Sequence, residues 1–391
     1  MNTAVMAAPG LAGNQDKQYG LINVLKVVAA QLIVLHHLAF YGPMADHARV
    51  LAPGLFDWLA DDARIAVQVF LVIGGFLAAK SLSPHGVPGI DHPLQTILRR
   101  YLKLAPPFLV AMLLAIGASA LASLWMTHPS ISAPPGFAQL GAHALLLHDL
   151  LGYDALSAGA WYVAIDFQLY LLMTMLLWGS RCLPAGRLVN WLVPMLIVTA
   201  VGSSLFFFNR QSSWDITALY FFGSYGLGAM AWWASDTKRS PQAVTILFGM
   251  LLIPALAALA ADFRERIALA LVVACFLFMF GRRSLSTASS LTASFLHAAA
   301  NASYSVFLVH FPICLVMNAA FVRFVAMRPE TQALGVCAAW AASMLVGALF
   351  HRWVERPLGR WCELGKGRVT AFHIGAEHSR AQNCPTSAPG G

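Results

Sequence analysis

YGLINVLKVVAAQLIVLHHLAFYG, residues 19–42, is apolar and long enough from Leu21 to Tyr41 to cross a bilayer, yet Lys26, His36 and His37 lie within the run. Ionisable groups are expensive at that depth, and a chain that keeps them there has a cavity or a partner to offset their desolvation. Lys26 and His37 are eleven positions apart, so on a helix they lie within about 20° of one face and roughly 16 Å apart along the axis. His36 points about 80° away from Lys26. One face of this helix therefore presents a cation near one end and a titratable imidazole near the other. The structural alternative is that Lys26 snorkels to the interface while the histidines satisfy carbonyls.

The same apolar character runs through the whole chain. Of 391 residues, 59% are hydrophobic and only 11% charged, too apolar for an ordinary soluble protein. Long apolar runs separated by short polar loops indicate one polytopic, all-α transmembrane bundle. Ten spans are expected at residues 21–41, 64–82, 104–127, 161–183, 189–208, 216–234, 243–261, 267–280, 304–325 and 333–353. The run 138–151 is too short to cross and is bounded by Pro134, Pro135 and Gly152, so it reads as an interfacial or re-entrant helix. Residues 1–18 read as a disordered tail, 19–358 as the membrane domain and 359–391 as a second tail.

With the N-terminus placed inside, seventeen Lys and Arg fall on inside segments and seven on outside ones, which supports ten spans with both termini cytoplasmic. The formal charge of +8 thus reads as topology rather than nucleic-acid binding. Six scattered cysteines form no CxxC pair and indicate neither a disulfide framework nor a zinc site.

This orientation places His37 roughly 6 Å and Asp166 roughly 8 Å below the outer face, close enough in depth to meet. A carboxylate beside an imidazole makes a general base, although Asp166 near a helix start also reads as a cap. In LRRYLKLAPPF, Arg99, Arg100 and Lys103 form a cluster at the inner face that suits phosphates, or simply anchors topology. Tyr304 and His310 lie in the ninth span and need partners, and Glu355 has Arg352 and Arg356 as neighbours. His143 and His148 have no third ligand nearby, so no metal is read there.

Several of these segments together resemble acyltransferase family 3, integral membrane proteins that include bacterial polysaccharide and lipid O-acyltransferases. LKVVAAQLIVLHH resembles the family's first helix, a basic residue followed after ten positions by histidine, here Lys26 and His37. VQVFLVIGGFLAAKSL is similar to its second-helix phrase, with Gly74 where serine is usual. LRRYLKLAPPF matches the basic pair before proline with Arg100 and Lys103, and WYVAIDFQLYLL resembles WSLSVEEQFYLL, with Trp161, Asp166 and Gln168 in register. SYSVFLVHFP and HRWVERP are similar to the ninth and last helices, and the resemblance runs from about Tyr19 to Leu358. Lysine at 26 and aspartate at 166 depart from the family's arginine and glutamate.

The resemblance implies a stand-alone enzyme of a bacterial inner membrane that takes an acyl group, most simply acetyl, from cytoplasmic acyl-CoA. It delivers that group to a hydroxyl of an exported or lipid-linked glycan, such as exopolysaccharide or lipopolysaccharide. Acyl-CoA is then a substrate, and no permanently bound cofactor is expected. Arg100, Lys103 and Lys26 would hold the donor's phosphates, His37 would be general base or acyl acceptor, and Asp166 would orient it. His36, Trp161, Gln168, Tyr304, His310 and Glu355 would support the site. Partners would be the glycan, membrane lipids and polysaccharide-synthesis machinery. A continuous polar seam should join the cationic end to His37. A transporter, or a non-catalytic partner of a polysaccharide synthase, is the alternative from the residues alone.

Overall fold

The computed structural model describes residues 20–181, 189–282 and 290–361, so both tails and the two short connections 182–188 and 283–289 lie outside the described residues. Thirteen α-helices and no strands occur among them. All ten expected spans are helices: α1 (Gly20–Phe40), α4 (Val67–Leu82), α5 (Pro93–Ser123), α7 (Ala160–Ser180), α8 (Val189–Phe206), α9 (Ala218–Ala234), α10 (Pro241–Ala261), α11 (Glu265–Phe280), α12 (Ser290–Phe324) and α13 (Pro329–Phe350). Eight of these segments are long and apolar enough to cross a membrane. The other two, α9 and α11, have 17 and 16 residues and sit at the lower length limit.

The remaining helices are short and lie in the connections: α2 (Pro43–Ala48), α3 (Pro53–Asp61) and α6 (Phe137–Ala144). The expected helix over 138–151 is only half formed. It stops after Ala144 because Leu146 takes a left-handed conformation, φ 58°, which a helix cannot continue. Two spans are longer than expected, α5 starting at Pro93 and α12 at Ser290. Arg99, Arg100 and Lys103 therefore lie within α5, consistent with Arg100 and Lys103 three apart on one helix face. The helix runs on through Pro106 and Pro107.

Helix α9 organises one half of the bundle. Every residue from Ala218 to Ala234 except Leu219 is buried, against α4, α8, α10, α11 and α7. Its seam with α4 is closed by glycines: a Cβ on Gly228 would drive into the Val72 carbonyl, and one on Gly75 into the Tyr225 carbonyl. Small residues let backbones approach where lipid offers no hydrophobic drive to association. We predict that Gly228→Val destabilises the bundle by more than the roughly 1–3 kcal/mol typical of overpacking, because the obstructing atoms are backbone. Thermal aggregation in detergent checks this against Gly117→Ala in α5, where a Cβ meets nothing within 4 Å and which should be neutral or slightly stabilising.

Helix α12 organises the other half and packs against α1, α5 and α13. The halves meet along α5–α7 and α1–α4, and Lys26, His36, His37, Arg100, Lys103, Trp161, Asp166 and Gln168 lie on these helices. The end of α1 is held by α12: Asn318 accepts the Met44 N–H (3.0 Å) and donates to the Tyr41 carbonyl (3.3 Å). Gly42 between them has φ 98°, and a side chain there would collide with Asn318.

Candidate active site

His37 and His36 are buried, and both line a cavity of about 1460 Å³ open at the His37 end of the bundle. His37 Nδ1 lies 2.7 Å from His310 Nε2, and His310 Nδ1 lies 2.7 Å from the Phe307 carbonyl. Because a carbonyl only accepts, His310 Nδ1 carries a proton. In a neutral ring its Nε2 then accepts, so His37 Nδ1 donates. His37 Nε2 is left with its lone pair, the group a general base needs. His310 stands behind His37, outside the cavity lining, with the rings stacked at 4.8 Å.

Asp166 does not fill the orienting role expected of it. Its carboxylate is 2.5 Å from the Arg100 guanidinium, both groups are largely buried, and Arg100 also lies over the Tyr170 ring at 5.1 Å. An arginine at mid-bundle outbids a neutral imidazole for a carboxylate because the pair relieves two desolvated charges at once. Gly74, where the resemblance expects serine, faces this pair: a Cβ there would stand 3.6 Å from Asp166 Oδ1 and 3.1 Å from Tyr225.

Lys26 lies within electrostatic range of Lys103, Arg100 and Glu355. Among the described residues Glu355 takes no arginine partner. It accepts from Ser305 Oγ (2.5 Å) and lies 2.9 Å from His351 Nδ1, in a π-turn over His351–Glu355. Such turns put side chains where a regular helix would not, often at functional sites. Tyr304 donates to the Leu104 carbonyl at 3.1 Å, tying α12 to α5 just before the two prolines.

The other expected residues divide between wall and scaffold. Trp161 lines the cavity beside Phe221, ring centroids 5.7 Å apart. His36 is anchored through Nδ1 to the Leu59 carbonyl at 3.0 Å, which fixes α3 against α1. Gln168 accepts the Ala218 N–H at 3.1 Å, satisfying a donor at the start of α9. Among the described residues the cavity lining takes in Gln68 and Phe307 but neither Lys26 nor Arg100. Gln68 is buried and accepts from Ser224 at 2.6 Å. An amide inside VQVFLVIGGF is a signal that sequence reading passed over.

His143 and His148 stack with centroids 4.1 Å apart in the segment bordering the cavity. His143 uses both nitrogens on backbone, Nδ1 with the Gln139 carbonyl and Nε2 with the Leu156 N–H. His148 is fully buried, with Asp149 3.4 Å from its Nε2. Burial pushes both imidazoles down to about 4. Between about 6.5 and 4 the unfolded segment binds more protons than the folded one, so its stability is present above that window and is lost as pH falls through it. The protection of amides over residues 137–156, corrected for the intrinsic pH dependence of exchange, should fall roughly tenfold or more across the window, and His148→Phe should remove about half of that dependence.

A helical membrane bundle thus presents a histidine-lined cavity at one end, with Lys26 in electrostatic range of Arg100 and Lys103 apart from its lining. Residues 19–353 match the acyltransferase family 3 domain, "Acyltransferase domain", and the chain belongs to that family. It is also similar to the "Regulator of hypoxia-inducible factor 1" of Caenorhabditis elegans, 25% identical over 178 residues, 41% of this chain and 34% of that protein. The match thus spans about a third of that curated relative's length. No solved structure matches.

Proposed function

We propose that this acyltransferase moves an acyl group, most simply acetyl, from a coenzyme A thioester held at the Lys26–Arg100–Lys103 end to a glycan hydroxyl in the cavity at the His37 end. The observation that supports this most directly is the His37–His310 pair, which leaves one basic nitrogen on a ring that lines a large cavity. His37 Nε2 takes the hydroxyl proton as the oxygen attacks the thioester carbonyl. The C–S bond breaks, an ester forms, and the proton passes from the imidazolium to the departing thiolate. Transient acylation of His37 is the two-step variant of the same chemistry.

Charge-assisted bonds from Arg100, Lys103 and Lys26 suit the donor's phosphates. On this reading the cationic end faces the cytoplasm of a bacterial inner membrane, and the acceptor is an exopolysaccharide, lipopolysaccharide or lipid-linked sugar. The test is reconstitution of the full chain in vesicles with labelled acetyl-CoA and the glycans of its own cell envelope. Mass spectrometry should find an ester-linked acyl group on the glycan. Solute flux without any consumption of acyl-CoA would replace this reading with a transporter.

A further inference from the structure

The cavity is uneven in charge, and its charge says what it admits. Asp61, Asp62, Asp149, Asp154, Asp215 and Glu265 line it against three arginines, 64, 264 and 266. Arg264 is already engaged: its guanidinium donates to Asn209 Oδ1 (2.6 Å) and the Leu205 carbonyl (2.9 Å), and Asp262, outside the lining, lies 3.6 Å away. Arg266 lies over the Tyr220 ring at 5.3 Å. Asp149 and Asp215 fall within each other's electrostatic range, although like charges repel. Among the described residues the side chains of Asp61, Asp62, Asp154, Asp215 and Glu265 make no hydrogen bond or ion pair, so five acceptors stand around the mouth without protein donors.

Deeper in, the wall changes character. Ser157 is 2% exposed and lines the cavity, yet its hydroxyl has no partner among the described residues. A buried hydroxyl without a partner costs free energy that a ligand can return. Trp161, Phe221, Phe307 and Phe311 line the same cavity. Aromatic faces with hydroxyl and carboxylate acceptors suit a polyol, whose C–H faces stack and whose O–H groups donate. The volume exceeds the roughly 300–1,000 Å³ of ordinary small-molecule sites, which leaves room for more than one sugar unit.

Resting on the acyl-transfer reading above, we propose that the cavity is an acceptor site for uncharged or amine-bearing glycans and that its carboxylate mouth excludes uronate-rich or phosphorylated ones. A polyanion meets an excess of negative charge at the mouth, whereas a neutral chain meets unfilled acceptors and an amine-bearing chain is attracted.

The test uses the full chain in vesicles at low salt with acetyl-CoA and three probes of matched length: a neutral gluco-oligosaccharide, a glucosamine oligosaccharide and a galacturonate oligosaccharide. O-acyl transfer to the first two should exceed transfer to the uronate by roughly tenfold or more. The ratio should shrink in high salt, and should fall toward one in the Asp154→Asn, Asp215→Asn, Glu265→Gln triple variant. Equal or faster transfer to the uronate, or a ratio that the triple variant leaves unchanged, overturns the proposal. So does consumption of acetyl-CoA with none of the three probes acylated, which leaves the acyltransferase reading standing. No consumption of acetyl-CoA, even with envelope glycans present, fails that reading and this one with it.

Discussion

His37→Ala abolishes acyl transfer while the bundle still assembles and inserts. Removing a general base costs on the order of 10²- to 10⁴-fold, and no second imidazole stands ready: His36 is turned to the Leu59 carbonyl and His310 lies behind the lining. The two histidines separate by kinetics. His310→Ala leaves the base in place but removes the acceptor that fixes its Nδ1–H, so it should lower kcat by roughly 10- to 100-fold, with little change in KM for acyl-CoA. A merely structural histidine would lower the amount of folded protein instead, leaving kcat per folded molecule unchanged. Near-normal transfer by His37→Ala would remove this ring from the chemistry.

The use of histidine rather than carboxylate behind the base has a physical consequence. A neutral orienter fixes the tautomer without stabilising the imidazolium as a carboxylate would, so the base gains direction more than strength. That arrangement suits an acyl acceptor, whose Nε2 lone pair is directed away from the orienting ring. It also explains why Asp166 was misread from sequence. Depth along two helices shows only that His37 and Asp166 share a level. It does not reveal that α12 supplies His310 as the partner of His37, or that α5 supplies Arg100 to the carboxylate.

What the sequence made legible follows the same division. Apolar periods and charge placement gave every long helix, because each span must satisfy its own backbone in lipid and announces itself locally. The basic residues Lys26, Arg100 and Lys103 were visible individually, and the structure puts Arg100 and Lys103 within electrostatic range of Lys26. The His37–His310 pair joins positions 273 residues apart, and nothing local encodes it. The cavity mouth was equally hidden. Its carboxylates come from separate short connections, each of which alone reads as an ordinary solvated loop. Gln168, expected only in support, satisfies a donor in the first turn of α9.

Asp166→Ala should lower the yield of folded protein sharply, because it strands the Arg100 guanidinium where both side chains are mostly hidden, 25% and 11% exposed. Breaking one side of such a buried pair costs about 3–5 kcal/mol, whereas removing both partners together is far milder. The double variant Arg100→Ala, Asp166→Ala should therefore recover assembly relative to either single one. It should not recover acyl transfer, since the donor's phosphates lose a cation that the pair held at mid-bundle. Arg100→Lys keeps the charge but loses the planar fork, and should fold while showing a raised KM for acyl-CoA at near-normal kcat. Should the double variant transfer acyl groups normally, the pair is scaffold alone, and donor recognition falls to Lys26 and Lys103.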